Sequence, residues 1–408
     1  MKVIDGGVTA AKGFMAAGCM AGVKYENRLD MAMVYSDKPC VAAGTFTGNV
    51  VKAAPVLWDQ RIVRQGTGSV RAVVVNTGIA NAGTGEEGLK HCEETAVKAA
   101  GILGLDKEEV LIGSTGVIGP QLNMPAVLKG VEKLKDSLSD SREAANDAAR
   151  AIMTTDTHPK ECAVEFEIGG RTVILGGMAK GSGMIHPDMG TMLAFITTDL
   201  SVSKELLQKA LSEVVQDTFN MISVDGDTST NDTLVVMANG EAGNPEVSSE
   251  EDYRLFKEAL FFVSENLARQ LAGDGEGATK LITCKVINAA DRKSAKILAK
   301  SVITSSLTKA AMYGNDANWG RILCAMGYSG VRFDPDRLDI FFDAEGFERI
   351  HIYHDGAAVP YSEEEATALL KQKEVIVTAD MKEGAEEATA WGCDLTHEYV
   401  SINADYRS

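Results

Sequence analysis

Thr191 follows Gly190 at the end of a glycine-rich stretch and opens an apolar run, Met192 to Thr197. A threonine hydroxyl is a weak nucleophile unless a base lies beside it, and one available base is the residue's own α-amine. That amine has a reference pKa of about 7.7–8.0, so a useful fraction is neutral near working pH and can take the hydroxyl proton. Thr191 would then have to be an N-terminus. Self-cleavage makes one inside a chain: the hydroxyl attacks the carbonyl carbon before it, an ester forms, and water releases it. Gly190 suits such a cut because glycine adopts a strained backbone cheaply. On spacing alone, the plainer reading of Thr191 as the first residue of a strand is favoured.

Two further clusters carry chemistry. Ser114-Thr115-Gly116 follows a short β-branched run, and a threonine hydroxyl beside backbone N–H groups at a glycine can build an oxyanion hole; an ordinary strand-to-loop turn is the simpler alternative. Asp274 to Lys280 (DGEGATK) places Glu276 between two glycines, which would leave its carboxylate open to a ligand, or leave the segment as a solvated turn. Ser223 to Thr233 (SVDGDTSTNDT) is rich in oxygen ligands but lacks the spacing of a calcium loop, so a capped helix-to-strand connection fits better. No phosphate loop, HExxH, GxSxG or dinucleotide fingerprint is present. Six histidines are dispersed, and the spacing of His351 and His354 is wrong for a ligand pair on a regular strand, so both should face solvent.

The elements that must position these residues alternate between strands and helices, which gives an α/β class with layered sheets. Strands are expected at Arg71 to Val75, Glu109 to Ile112, Ala163 to Ile168 and Thr172 to Leu175, the last two joined by a hairpin at Gly169-Gly170. Later strands are expected at Met192 to Thr197, Leu234 to Met237, Lys280 to Ile287, Asp339 to Phe342, Ile350 to Tyr353, Val375 to Ala379 and His397 to Asn403. Helices are expected at Glu87 to Leu103, Ser141 to Thr154 with Ser141 as cap, Lys204 to Met221, Tyr253 to Leu271 and Ala295 to Tyr313. Residues 176–191, with five glycines and a proline, are too glycine-rich for the interior of either element.

The chain has 408 residues and a formal charge of −18, a balance that repels phosphate backbones and anionic membranes. Neither nucleic acid nor membrane is therefore an expected partner. Seven scattered cysteines without a CxxC pair argue for core thiols in a reducing compartment rather than disulfides or zinc. Gly13 to Val23 lacks the apolar run of a signal peptide, so a cytoplasmic protein is expected.

Taken together, seven separated blocks resemble the bacterial ornithine acetyltransferase family along the whole chain. They are Gly7 to Lys24, Ser114 to Gly119, Met153 to Lys160 (MTTDTHPK), Ser223 to Thr233, Asp274 to Lys280, Asn315 to Arg321 (NDANWGR) and Tyr399 to Ser408 (YVSINADYRS), and they accompany the stretch Lys180 to Asp199 around Thr191. The resemblance implies an αββα-type sandwich like that of the N-terminal-nucleophile-like aminopeptidases. It implies self-cleavage between Gly190 and Thr191 into an α chain, 1–190, and a β chain, 191–408, assembled as an α2β2 heterotetramer. Thr191 would be the nucleophile and Thr115 and Gly116 the oxyanion hole. Thr154, Lys180, Thr191, Glu276, Asn403 and Ser408 match positions where the family contacts substrate.

The implied reaction is a ping-pong transfer of acetyl from N-acetylornithine to glutamate. Lys180 would attract a substrate carboxylate, Glu276 would suit the ornithine ammonium, and Asn403 and Ser408 would close the pocket. No metal or tightly bound cofactor is implied. Acetyl-CoA as a second donor stays open, because members with and without it share these motifs. A threonine-nucleophile amidase or aminopeptidase and an uncleaved binding protein are the rival readings. The chain departs from the family at the cut, reading Pro187-Asp188-Met189-Gly190-Thr191 where Pro-Asn-Met-Ala-Thr is usual, and it ends in Ser408 where threonine is common.

Overall fold

The computed structural model describes residues 1–65, 69–186 and 192–405. Thr191, Gly190, Asp188 and Ser408 lie outside the described residues. Two compact units are present, the first holding 1–181, 192–220 and 228–267, the second 182–186, 221–227 and 268–405.

The strands are β1 (Lys2–Ile4), β2 (Phe14–Cys19), β3 (Met31–Phe46), β4 (Val70–Ile79), β5 (Val110–Val117), β6 (Lys160–Ile168), β7 (Arg171–Lys180), β8 (Leu193–Thr198), β9 (Ile222–Ser223), β10 (Thr233–Ala238), β11 (Leu281–Ala289), β12 (Asp339–Asp343), β13 (Ile350–His354), β14 (Ala357–Ala358), β15 (Glu374–Asp380) and β16 (Glu386–Cys393). In the first unit they form a nine-stranded sheet in the order β1-β6-β7-β8-β10-β3-β4-β5, with β2 also on β3. The long β3 serves two neighbours in turn. Its first part pairs with β2 and β4, and its last six residues pair with β10. The register shifts between Tyr35 and Cys40, where Asp37, Lys38 and Pro39 are exposed. A proline cannot donate to a ladder, so it falls where pairing lapses.

The central strands are apolar on both faces, as expected for a sheet covered on both sides. All six residues of β8 and of β10 are buried. The hairpin at Gly169-Gly170 is present, with both glycines at positive φ. The Ser141 cap is present too, its Oγ accepting the Ala144 N–H at 3.1 Å. The glycine-rich stretch is not all loop, however: β7 runs through Gly176 and Gly177 to Lys180. A Cβ at Gly176 would lie 2.2 Å from the carbonyl oxygen of Gly7. Glycine is there because another backbone crosses the strand closely, a reason invisible to propensity.

In the second unit seven strands run in the order β14-β13-β12-β15-β11-β16-β9, with β11 and β15 parallel at the centre. Helix Arg292–Thr304 packs on β11 and β16. The helix expected at Ala295 to Tyr313 is two helices, because Ser305 is extended and caps a second one, Ser306–Tyr313, through Thr308 N–H. The helix expected at Lys204 to Met221 ends at Val214 and continues as two 3-10 turns. The segment read as a strand at His397 to Asn403 is a helix, His397–Ala404, capped by Thr396. His351 and His354 do share a face, because the pairing of β12 with β13 shifts register between Ile340 and Phe341. The α/β class therefore holds, with two mixed sheets that carry packed helices. Among the described residues no helix is long and apolar enough to cross a membrane.

Helix Ala54–Gln65 fixes β5 through one buried carboxylate: Asp59 Oδ1 accepts the Ile112 N–H at 2.8 Å, and Oδ2 has no partner among the described residues. Burial pushes the Asp59 carboxyl well above its usual range, against the Ile112 hydrogen bond that lowers it. The folded state thus holds the Asp59 proton more tightly than the unfolded chain, whose aspartates titrate near about 3.9. Stability from this group is complete below that value and falls as pH rises through the folded-state pKa. Asp59→Asn keeps the acceptor and removes the titration. Urea denaturation of both proteins at pH 5 and pH 8 should show the difference moving in the variant's favour at the higher pH.

Candidate active site

Within the first unit, the ends of β5 and β7 bring Thr115, Gly116 and Lys180 together. Lys180 Nζ donates to Thr115 Oγ1 at 3.0 Å, and both residues are buried. A hydroxyl oxygen that accepts from an ammonium keeps its own proton for donation, and the charge makes that proton a stronger donor. Gly116 has φ +131°, and a Cβ there would lie 2.2 Å from the carbonyl carbon of Gly78. Only glycine fits, because β4 and β5 run parallel here with a register irregularity at Gly78 and Ile79. Asn231 holds the same turn from the other side, its Nδ2 donating to the carbonyls of Ser114 at 2.8 Å and Ala80 at 2.6 Å.

The charge of Lys180 is balanced by a residue that sequence reasoning did not single out. Asp156 is buried, and its Oδ1 accepts from Lys160 Nζ and from the Gly181 N–H, both at 2.7 Å. Its Oδ2 accepts the Thr154 N–H at 3.0 Å. One carboxylate thus fixes the backbone at Thr154 and at Gly181, next to Lys180. Burial alone would push the Asp156 carboxyl up, but the ammonium charges of Lys160 and Lys180 and the hydrogen bonds outweigh it and hold the pKa well below the usual range. Arg28 braces the same loop, donating to the carbonyls of Met153 at 2.6 Å and Thr154 at 3.1 Å. The MTTDTHPK block supplied the only sequence signal for Asp156. Nothing in the sequence pointed to Arg28.

The strands on either side of the Gly190-Thr191 bond are hydrogen-bonded neighbours inside this sheet. β7 and β8 are antiparallel from Leu175 opposite Thr198 to Lys180 opposite Leu193. Leu193 is two residues after Thr191 in the chain.

Within the second unit, Glu276 is buried rather than open to solvent, which corrects the expectation from its flanking glycines. Its Oε2 accepts from Asn403 Nδ2 at 2.7 Å. A Cβ on Gly183 would lie 2.4 Å from the same oxygen, so Gly183 leaves the space that the carboxylate fills. Asp225 accepts the Met184 and Ile185 N–H groups at 2.6 and 2.8 Å and the Tyr399 hydroxyl at 3.2 Å. Two residues of helix His397–Ala404, Tyr399 and Asn403, are therefore tied to the 182–186 segment and to Glu276. Lys280 is structural, donating to Asn315 Oδ1 at 2.6 Å and to the carbonyls of Met312 and Leu370. The structure brings Thr115, Gly116, Lys180 and the backbone of Thr154 into one cluster, and Glu276 and Asn403 into another.

Removing the Asp156 charge takes a buried carboxylate from beside the ammonium groups of Lys160 and Lys180. Asp156→Asn should destabilise the protein by about 3–5 kcal/mol at pH 7, read from the urea midpoint. The folded pKa is depressed, so this contribution is present above the unfolded value of about 3.9 and is lost as pH falls below it toward the folded one. The gap between wild type and variant should accordingly close only in strong acid.

The sequence profile described as the ArgJ family matches residues 15–408. The arginine biosynthesis bifunctional protein ArgJ of Caldanaerobacter subterraneus subsp. tengcongensis is 47% identical over 409 aligned residues, covering 100% of both chains. That of Symbiobacterium thermophilum is 49% identical over 411, again covering 100% of both. The crystal structure of the arginine biosynthesis bifunctional protein argJ from Bacillus halodurans is 47% identical over 52% of this chain and 97% of its own, with a TM-score of 0.49. With a profile match over nearly its whole length and full-length relatives at close to half identity, the chain belongs to the ArgJ family.

Proposed function

We propose that Thr191, freed by cleavage of the Gly190–Thr191 bond, is the acetyl-carrying nucleophile of this chain. The chain is a glutamate N-acetyltransferase of arginine biosynthesis, with N-acetylornithine and glutamate as substrates. The observation that carries the mechanistic reading is the Lys180–Thr115 hydrogen bond beside Gly116, a polarised hydroxyl and a glycine turn at the ends of two sheet strands.

In the cleavage step the Thr191 hydroxyl adds to the Gly190 carbonyl carbon, the C–N bond breaks, and an ester and a free α-amine result. Water hydrolyses the ester and leaves Gly190 as a carboxylate. In the transfer step the α-amine takes the Thr191 hydroxyl proton while Oγ attacks the acetyl carbonyl of N-acetylornithine. Donors at Thr115 Oγ1 and Gly116 N–H stabilise the oxyanion, a class of interaction worth roughly 10²–10³ in rate per donor. The tetrahedral intermediate expels the ornithine amine, which leaves with the proton. The glutamate amine then attacks the acetyl-threonine, and N-acetylglutamate departs.

The pairing of β7 with β8 supports a two-chain enzyme that stays together, since hydrolysing one peptide bond between them removes no ladder hydrogen bond. The α2β2 assembly is part of the same reading. Of the remaining groups, Thr154 and Lys180 would bind a substrate carboxylate, and Glu276 a substrate ammonium. Asn403, which orients Glu276, and Ser408 would close over the ligand.

Intact mass spectrometry of the purified protein should give two fragments, the second beginning at Thr191. Thr191→Ala should yield one full-length chain without turnover. Product analysis with N-acetylornithine should give N-acetylglutamate only when glutamate is present. Acetate released equally with and without glutamate would instead identify a hydrolase.

A further inference from the structure

The edge of the second unit's sheet carries a cluster that the acetyl-transfer reading does not use. Asp339 lies on β12, and His351 and His354 lie on β13. In a regular strand residues three apart point to opposite faces. Here Ile340 is paired with Tyr353 and the next residue, Phe341, with His351, so β13 carries one extra residue, Ile352. This bulge resets the alternation. Asp339 is opposite His354 and Phe341 is opposite His351, two rungs that share one face.

The side-chain geometry is that of a chelate. Nitrogen and oxygen donors of the three residues all lie within 4.8 Å of one another. His354 Nδ1 is 2.7 Å and His351 Nε2 3.7 Å from Asp339 Oδ1. Two donors about 2.1 Å from one tetrahedral ion would be about 3.4 Å apart, between those two values. His351 Nε2 is shielded from solvent and has no hydrogen-bond partner among the described residues, a buried nitrogen lone pair or proton left unsatisfied there. Phe341 stacks on the His351 ring at 4.4 Å and fixes its plane. Without an ion, His354 Nδ1 donates to Asp339 Oδ1 at 2.7 Å; when an ion displaces that proton, Nε2–H can turn to Asp355 Oδ2, 3.4 Å away, and leave Nδ1 as the ligand. Lys382 Nζ is the competing cation, 2.9 Å from Asp339 Oδ1, but it also has Asp355 Oδ1 at 2.8 Å and can keep that contact when Asp339 turns to an ion. Half of the His354 side chain is exposed, which gives an ion a way in.

We propose that Asp339, His351 and His354 form a binding site for one divalent transition-metal ion of the zinc class, which clips β13 to β12. Two imidazoles and one carboxylate, with water in the fourth position, suit such an ion and are poor ligands for calcium or magnesium. The site depends on neither Thr191 nor the proposed transfer.

Isothermal titration of the full-length protein with zinc chloride in a non-chelating buffer at pH 7.5 tests it. Wild type should bind one equivalent that is weakened fivefold or more in His354→Gln and in His351→Gln, while Lys382→Met binds at least as tightly as wild type. Zinc should raise the midpoint of thermal unfolding in wild type and not in His354→Gln, a variant whose half-exposed side chain leaves the core untouched. Absence of a stoichiometric site in wild type, or a loss smaller than fivefold in His354→Gln, would overturn the proposal.

Discussion

A carboxylate taken wholly out of water must either take up a proton or keep a cation beside it. Asp156 does the second, and the geometry of the first unit's cluster depends on it. Its two oxygens accept from the Lys160 ammonium, the Gly181 N–H and the Thr154 N–H, so a single side chain sets both the end of β7 and the loop before β6. Lys180 lies close enough to help hold the Asp156 carboxyl low, and its Nζ donates to the Thr115 hydroxyl. Asp59, on another element of the first unit, shows the other outcome. Its carboxyl is pushed up by burial, and its Oδ1 accepts the Ile112 N–H of β5.

The nine-stranded sheet accounts for how a chain of this kind can tolerate a break at its proposed nucleophile. The bond in question connects β7 to β8, which are already paired over six residues in the interior of the sheet, with β6 and β10 on their outer sides. Their hydrogen bonds and apolar faces belong to the folded sheet, not to the connecting peptide. In the second unit an analogous economy operates at the C-terminal helix. That helix buries none of its residues, and its placement rests on polar ties: Thr396 to the Gly277 carbonyl, Tyr399 to Asp225 and Asn403 to Glu276.

Much of this was legible in advance where the signal was local. β-Branched runs marked the central strands, Ser141 marked its helix start, and paired glycines marked the β6–β7 turn, because each is decided by the residues themselves. The readings that failed were decided from elsewhere in the chain. Gly176 looks like loop until the Gly7 backbone is placed against it, and Gly177 until the Ile196 and Leu267 side chains are. His397 to Asn403 alternates like a strand, yet the Thr396 cap and two distant carboxylates make it a helix. Glu276 between glycines looks exposed, yet Gly183 clears a space in which it is buried. His351 and His354 look mismatched until a bulge realigns them.

Family and α/β class are therefore properties of the linear chain, since residue types at short spacings and ordered blocks carry them. Tertiary structure alone decided which charges neutralise one another. Asp156 with Lys180 and Asp339 with Lys382 each join residues from separate segments, and electrostatic energy depends on distance and solvent exposure, quantities that a sequence does not contain.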